Sequence, residues 1–545
     1  MKSLLSLLST RQTSILSGAT ILMVTVLASK FLGLVRDRLL AQTFNPDQVA
    51  VFLAAFRLPD LMFQLLVFGA VSVAFIPVFT DYLEHRGEKE AFGFAADILN
   101  IVLVVFATFS VIVLLFANPL TNLIVPGFSD AQKASTAQLT QIIVLGQILL
   151  VVGSFFASIA QSFQRFIIPA LASIFYNLGI IVGIIFLVPF WGIAGPAVGV
   201  IIGAFFYVLV QVPLVNSLGF RHKLSFNLVS DGIKEVLSLM SIRTVGVAVE
   251  QINETVGIIL ASLISTSSVT FLTFAQHLQT VPIGLFGATL AQAALPVLSQ
   301  EKAKGEKELF KSTLLTTMHQ ILFLTLPVAA ILIVLRIPAV RLVFGASQFN
   351  WEATVLTGRT MAYLAVGLAA QSVVLLLVRG FYALKDTRTP VIVSITCVFL
   401  NIILSSVLVT QLHLPIWSLG FSYSLVTITS ALMLLYALSH KLGGFPFTSL
   451  YLPAIKMLIS AGIAAVALYI PIKALDQLVF DTTKTINLLF LTGIASIFGL
   501  GVYILLVWLF RVKELETFSN LLKQIWQRRL QSKHATELVK ETGTV

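Results

Sequence analysis

A 25-residue pattern occurs twice in this chain, and it fixes more about the fold than any other feature. The first copy runs from Phe68 (FGAVSVAFIP) through Pro77 to Gly87 (GEKEAF) and Phe92. The second runs from Phe286 (FGATLAQAALP) through Pro296 to Gly305 (GEKELF) and Phe310. Each copy is an apolar helix running into a charged loop. Six hydrophobic segments separate the two loops, so both copies enter a membrane the same way up. Two parallel halves about an axis along the bilayer normal is a transporter layout.

Composition agrees: 57% of residues are hydrophobic and only 11% charged, against roughly a quarter charged in soluble domains. At about 20 apolar residues per crossing, the sequence reads as an all-α polytopic membrane protein of fourteen helices between residues 14 and 510. Basic residues are retained on the cytoplasmic side. Of the 35 Lys and Arg, 23 fall at the two termini and in the loops of one face, and five in the opposite loops. Both termini are thus expected in the cytoplasm. The net charge of +11 is then an orientation signal, and no nucleic-acid partner is expected. Cys397 is the single cysteine, which excludes an intrachain disulfide, and the N-terminal segment reads as an uncleaved first helix.

The repeat continues in weaker matches: Pro169 and Asn177 against Pro390 and Asn401, and Trp191 against Trp417. The expected organisation is an N-terminal lobe over 1–218, a cytoplasmic linker over 219–235, a C-terminal lobe over 236–440, two added helices over 441–510, and a basic amphipathic tail over 511–545. The second hydrophobic segment, about 33 residues, is too long for a straight crossing. Pro59 and Gly69 there, and Pro282, Gly284 and Gly287 in its counterpart, supply bending points. Hinges for alternating access and static kinks both fit.

Charges inside membrane helices cost about 2.5–3.5 kcal/mol each on insertion scales and so require a partner, water or a task. The first helix carries Lys30, Arg36, Asp37 and Arg38, and the second Arg57 and Asp60. Cations exceed acids, and an inward-facing surplus would attract a phosphate-bearing anion; snorkelling to the interface is the alternative, favoured for Arg38. Arg243, Glu250 and Glu254 share one face of the seventh helix. They read either as a proton or sodium coupling site, with Asp37 a further candidate, or as a salt-bridge cluster. His277 in the eighth helix is either a packing residue or a cavity group. The seven histidines lack the i, i+4 pairing of a helical zinc site, and no phosphate-binding loop occurs. No metal and no cofactor is expected, which leaves Na+, H+ or Cl− coupling open.

Several motifs in order resemble the MviN/MurJ lipid II flippases: Gly33 to Asp37 (GLVRD), Phe56 to Asp60 (FRLPD), Gly69 to Pro77, Pro282 to Pro296 with Gly284 and Gly287, and Gly380 to Tyr382 followed by Asp386 to Pro390 (DTRTP). The resemblance implies two six-helix lobes around a central cavity, with the last two helices shaping a groove for a polyprenyl tail. It also implies a non-enzymatic function: lipid-linked peptidoglycan precursor moves from the inner to the outer leaflet of a bacterial plasma membrane. Partners would be that anionic lipid, membrane lipids and cell-wall synthesis proteins. Lys30 stands at the family's first helix-1 arginine and Arg36 at its second, and Arg57, Arg243 and His277 complete the candidate pyrophosphate site. The chain departs from the family pattern at Ala50, Phe63, Gln64, Phe68, His277 and Thr280, where charge is lost. Rival readings are a flippase for another polyprenyl-linked glycan, a cation-coupled drug exporter, and a scaffold that has lost transport.

Overall fold

The structure, a computed structural model, describes residues 15–66, 74–227, 231–478, 484–516 and 518–519. Side chains are described over the same ranges except 15–24, 26, 239, 241–243 and 475–478. Gly69, the Arg243 side chain and most of the expected tail lie outside the described residues.

Among the described residues every regular element is helical. We label them α1 (Ile15–Thr43), α2 (Pro46–Leu66, resuming as Ile76–His85), α3 (Glu88–Ile124), α4 (Asp130–Ser162), α5 (Ile167–Trp191), α6 (Ala194–Ser217), α7 (Asp231–Ile264), α8 (Thr266–Ala303), α9 (Lys307–Val334), α10 (Trp351–Val366 and Leu368–Ala383), α11 (Arg388–Gln411), α12 (Trp417–Leu442), α13 (Phe447–Leu478) and α14 (Thr485–Leu509). Twelve of these are long and apolar enough to cross a membrane, and α10, bent by 43° between its two parts, supplies a thirteenth. With α1 ahead of them, the order is that of a fourteen-helix transporter fold.

The helices begin where the sequence supplies caps. Asn45 and Ser129 each form a reciprocal capping box, with Gln48 and Gln132 respectively, which satisfies N–H groups that lipid would leave unpaired. Gly87, Gly219 and Gly305 take positive φ at turns, a conformation that costs glycine little. Among the described residues, complete π-turns widen α5 at Gly183–Leu187, α8 at Ile283–Ala288 and α11 at Val407–Gln411, and residues 64–66 and 74–75 along α2 take the same widened form. The α8 widening directly follows Pro282, whose ring cannot donate into the helical ladder; Gly284 and Gly287 lie within it. Pro59 sits in the short run Arg57–Phe63, after a break at Phe56.

Two compact units pack within the chain. The first comprises residues 1–281, 340–364 and 391–426. Its core holds a run of aromatic rings in stacked and tilted contact, Phe75, Phe79, Phe92, Phe94 and Phe155, between α2, α3 and α4. In the same unit α5 and α6 meet through glycines: a Cβ on Gly203 would lie 2.4 Å from the Tyr176 carbonyl, and one on Gly179 2.2 Å from Gly203 Cα. Small residues let helix backbones approach in lipid, where no hydrophobic force drives them together. The second unit comprises residues 282–339, 365–390 and 427–545. There α13 and α14 pack on α9 through Met457, Ala461, Ala464, Tyr503, Val507 and Phe323.

Candidate functional site

The charges of α1 and α2 lie inside the first unit, and each described one has a definite setting. Arg36 and Asp37 are neighbours on α1, and the arginine side chain folds back so that Nε and Nη2 both donate to Asp37 Oδ1, at 3.0 and 2.7 Å. Its Nη1 donates to Asn177 Oδ1 on α5 at 3.3 Å. The Asn177 amide in turn donates to Ser29 Oγ on α1 at 3.2 Å. Asp37, 1% exposed, uses its second oxygen to hold His277 Nδ1 of α8 at 2.7 Å. One buried carboxylate therefore joins an arginine and a histidine from opposite halves of the sequence. Lys30 stands two turns before Asp37 on the same face of α1; it is half-buried and makes no hydrogen bond or ion pair among the described residues.

A second set centres on Arg57, which is buried. Its Nε donates to Thr255 Oγ1 at 2.9 Å and its Nη1 to Glu254 Oε2 at 2.8 Å. Nη2 donates to both the carbonyl and the side-chain oxygen of Gln251 at 2.7 Å. All three partners are on α7. One turn along, Asp60 accepts from Gln147 Nε2 of α4 at 2.7 Å. Thr270 of α8 donates to the Pro46 carbonyl at the start of α2.

The structure thus brings together Arg36, Asp37 and His277, and separately Arg57 and Glu254. The surplus of positive charge counted along α1 and α2 is smaller than the count implies, because Arg36 and Arg57 each meet a carboxylate. Glu254 takes its cation from α2. Glu250, one turn away, is exposed. Arg38 does not snorkel freely: its Nη1 donates to the carbonyls of Leu342 and Val343 at the end of the short helix Arg336–Phe344. A cation is favoured there because the last carbonyls of a helix are unpaired and carry the negative end of its dipole. Gly287 abuts Ser372 of α10, whose Cβ would lie 2.7 Å from an added Cβ, so the widened turn of α8 requires glycine.

Sequence reasoning passed over Gln147, Gln251 and Thr255, and noted Asn177 only as a repeat match. Polar residues in apolar helices were the available signal, since an amide in lipid must find a partner. Among the described residues no group of His, Cys, Asp and Glu could hold a metal ion.

The family model described as Lipid II flippase MurJ matches residues 40–490. The chain belongs to this lipid II flippase family. As a member of the MurJ family it is a multi-pass membrane transporter and not an enzyme. It is 27% identical to the probable lipid II flippase MurJ of Buchnera aphidicola subsp. Baizongia pistaciae over 67% of this chain and 72% of that one. It is 26% identical to the probable lipid II flippase MurJ of Bdellovibrio bacteriovorus over 89% and 94%. A solved structure of a lipid II flippase MurJ in an inward closed conformation superposes with a TM-score of 0.76 at 22% identity, over 90% of this chain and 98% of that one. At that identity the likeness establishes the MurJ fold alone.

Proposed function

We propose that this protein carries a polyprenyl-pyrophosphate-linked peptidoglycan precursor, lipid II, from the inner to the outer leaflet of a bacterial plasma membrane by alternating access, with both termini in the cytoplasm. The observation that carries the reading is the single carboxylate of Asp37 holding Arg36 of α1 and His277 of α8. An arginine has five N–H donors, and Asp37 and Asn177 use three of Arg36's. Two remain, on Nη1 and Nη2, together with the second ring nitrogen of His277 and the ammonium of Lys30. These donors suit a pyrophosphate, which accepts charge-assisted hydrogen bonds on several oxygens.

Alternating access requires contacts that separate. Asp37 with His277, Arg57 with Glu254, and Thr270 with the Pro46 carbonyl each join an element of the first half of the sequence to one of the second. His277 and Glu254 are 33 and 48% exposed, so water or substrate can reach one partner of each ion pair as it parts from the buried Asp37 or Arg57. Moving a net anion outward across an inside-negative membrane gains about 2.3 kcal/mol per charge per 100 mV. The membrane potential suffices as the driving force in this reading, and coupling to Na+, H+ or Cl− is the alternative.

The test is complementation. A bacterium depleted of its own lipid II flippase and expressing this chain should regain outer-leaflet lipid II, and Arg36→Ala should abolish the rescue. Failure of a stably inserted wild-type chain overturns the reading. Full rescue by Arg36→Ala removes that residue from the site. Dissipating the potential, or replacing Na+ or Cl−, separates voltage from ion coupling.

A further inference from the structure

The segment joining α6 to α7 has no regular secondary structure over residues 220–227, yet it is tied down along its length. Asn100 of α3 donates through Nδ2 to the carbonyls of Lys223 and Ser225, both at 2.9 Å, and its Oδ1 lies 2.8 Å from His222 Nε2. Asp97, three residues earlier, accepts from Ser225 Oγ at 2.6 Å and from the backbone N–H of Asn227 at 3.4 Å. Phe220 anchors the start, buried against Phe92 and Phe155. Asp97 and Asn100 are both buried, and both side chains bond to this segment.

Their position along α3 places the segment. Asp97, Asn100, Val104, Val111 and Leu115 recur at helical spacing and so form one stripe. From Val104 onward that stripe is exposed, with Val104, Val111 and Leu115 at 51, 53 and 73%, as a lipid-facing surface is. Below Val104 the segment covers it. At 1.5 Å per residue, Asn100 lies only about 6 Å from the first exposed valine. The tethered segment is therefore on the perimeter of the bundle, at the foot of its lipid-facing band. There it leaves Leu224 and Phe226 exposed, at 83 and 56%, beside exposed Arg221 and Lys223.

We infer that residues 220–227 form a membrane-surface strap: Leu224 and Phe226 enter the boundary between headgroups and acyl chains, and Arg221 and Lys223 engage anionic phospholipid headgroups. Apolar side chains next to basic ones are what an interfacial element requires. Basic residues near an anionic leaflet are attracted over a Debye length. Tethering by Asp97 and Asn100 prepays the cost of ordering the segment at the surface. The strap continues the lipid-facing stripe of α3.

The experiment uses the full chain with Cys397→Ser, reconstituted into vesicles, with a nitroxide at Leu224→Cys or Phe226→Cys. Collision with oxygen and with a water-soluble nickel complex is compared in neutral vesicles and in vesicles of about one-third phosphatidylglycerol. Expected in the anionic vesicles is a label favouring oxygen at a depth of about 5 Å or more, the burial of an interfacial apolar face. Depth should fall in neutral vesicles and on Arg221→Gln with Lys223→Gln. A label dominated by nickel in both vesicle types, or shielded from both probes by protein, overturns the strap. Equal depth in both vesicle types overturns the assignment to anionic lipid.

Discussion

Asn177 and Asn401 make the same cross-helix bond in two places. Each donates its side-chain amide to the residue 148 positions earlier, Asn177 to Ser29 on α1 and Asn401 to Asn253 on α7. A π-turn opens six residues after each, at Gly183 and at Val407. The copies differ in what the amide oxygen does. On Asn401 it accepts from Ser422 at 2.7 Å, whereas on Asn177 it accepts from Arg36. An internal repeat carries the contact twice, and one copy has been turned to holding a cation.

That difference separates two substitutions. Asn401→Leu strips partners from Asn253 and from the buried Ser422 hydroxyl, and should destabilise by about 1–3 kcal/mol without altering anion binding. Asn177→Asp supplies Arg36 with a second carboxylate that competes with an anionic headgroup, weakening binding of lipid II by about tenfold, or about 1.4 kcal/mol. Thermal midpoint and lipid II affinity, measured on both purified variants, check the pair. Equal affinity in Asn177→Asp and the wild type would remove Asn177 from any role in presenting Arg36.

Arg57 and Glu254 should respond unequally although they form one ion pair. Arg57 is 7% exposed and donates to three residues of α7, while Glu254 is 48% exposed and can be rehydrated. Arg57→Leu leaves Gln251 and Thr255 with unmet acceptors and should cost at least about 2 kcal/mol. Glu254→Gln keeps an acceptor in place and should cost about 1 kcal/mol or less. Denaturation in one detergent ranks them, and a larger loss for Glu254→Gln would refute the assignment of Arg57 as the anchor.

What was legible in the sequence was whatever repeats with a period or a cost. Apolar runs of membrane length gave the helices, and the order of short motifs gave the family. Lys30, Arg36, Asp37 and Arg57 stood out because a charge in lipid demands an explanation. Their partners did not. That Asp37 serves His277, 240 residues away, or that Arg57 reaches α7, depends on how helices distant in sequence are set beside one another. Helical spacing could put Glu250 and Glu254 on one face but could not say that Arg57 would claim one of them. Arg38 read as an interfacial cation because the carbonyl ends of Leu342 and Val343 carry no sequence signature.

The contact of α5 with α6 makes a steric prediction. Gly203→Ala would drive a Cβ to 2.4 Å from the Tyr176 carbonyl, and backbone cannot yield as a flexible side chain would. Overpacking of this kind costs about 1–3 kcal/mol. Gly246→Ala on α7, where an added Cβ meets nothing within 4 Å, is the matched control. Folded yield and thermal midpoint should fall for the first and hold for the second.

The turn between α10 and α11 predicts an acid limb to stability. Burial pushes the Asp386 carboxyl up, but the hydrogen bonds from Lys441 and from the hydroxyl and N–H of Thr389 outweigh it and bring the group down to about 2. A carboxylate whose folded value lies below its unfolded one stabilises fully above the unfolded value, near 4 for an aspartate. That stabilisation drains away as pH falls toward 2. The wild-type thermal midpoint should therefore drop between about pH 4 and pH 2 by more than that of Asp386→Asn, which has no proton to take up there. At pH 7 Asp386→Asn should be the less stable, because Lys441 and the Thr389 N–H then face a neutral amide, and the two proteins should converge toward pH 2. Parallel midpoint curves for the two proteins across that range would show that the Lys441 pair contributes nothing to holding the turn.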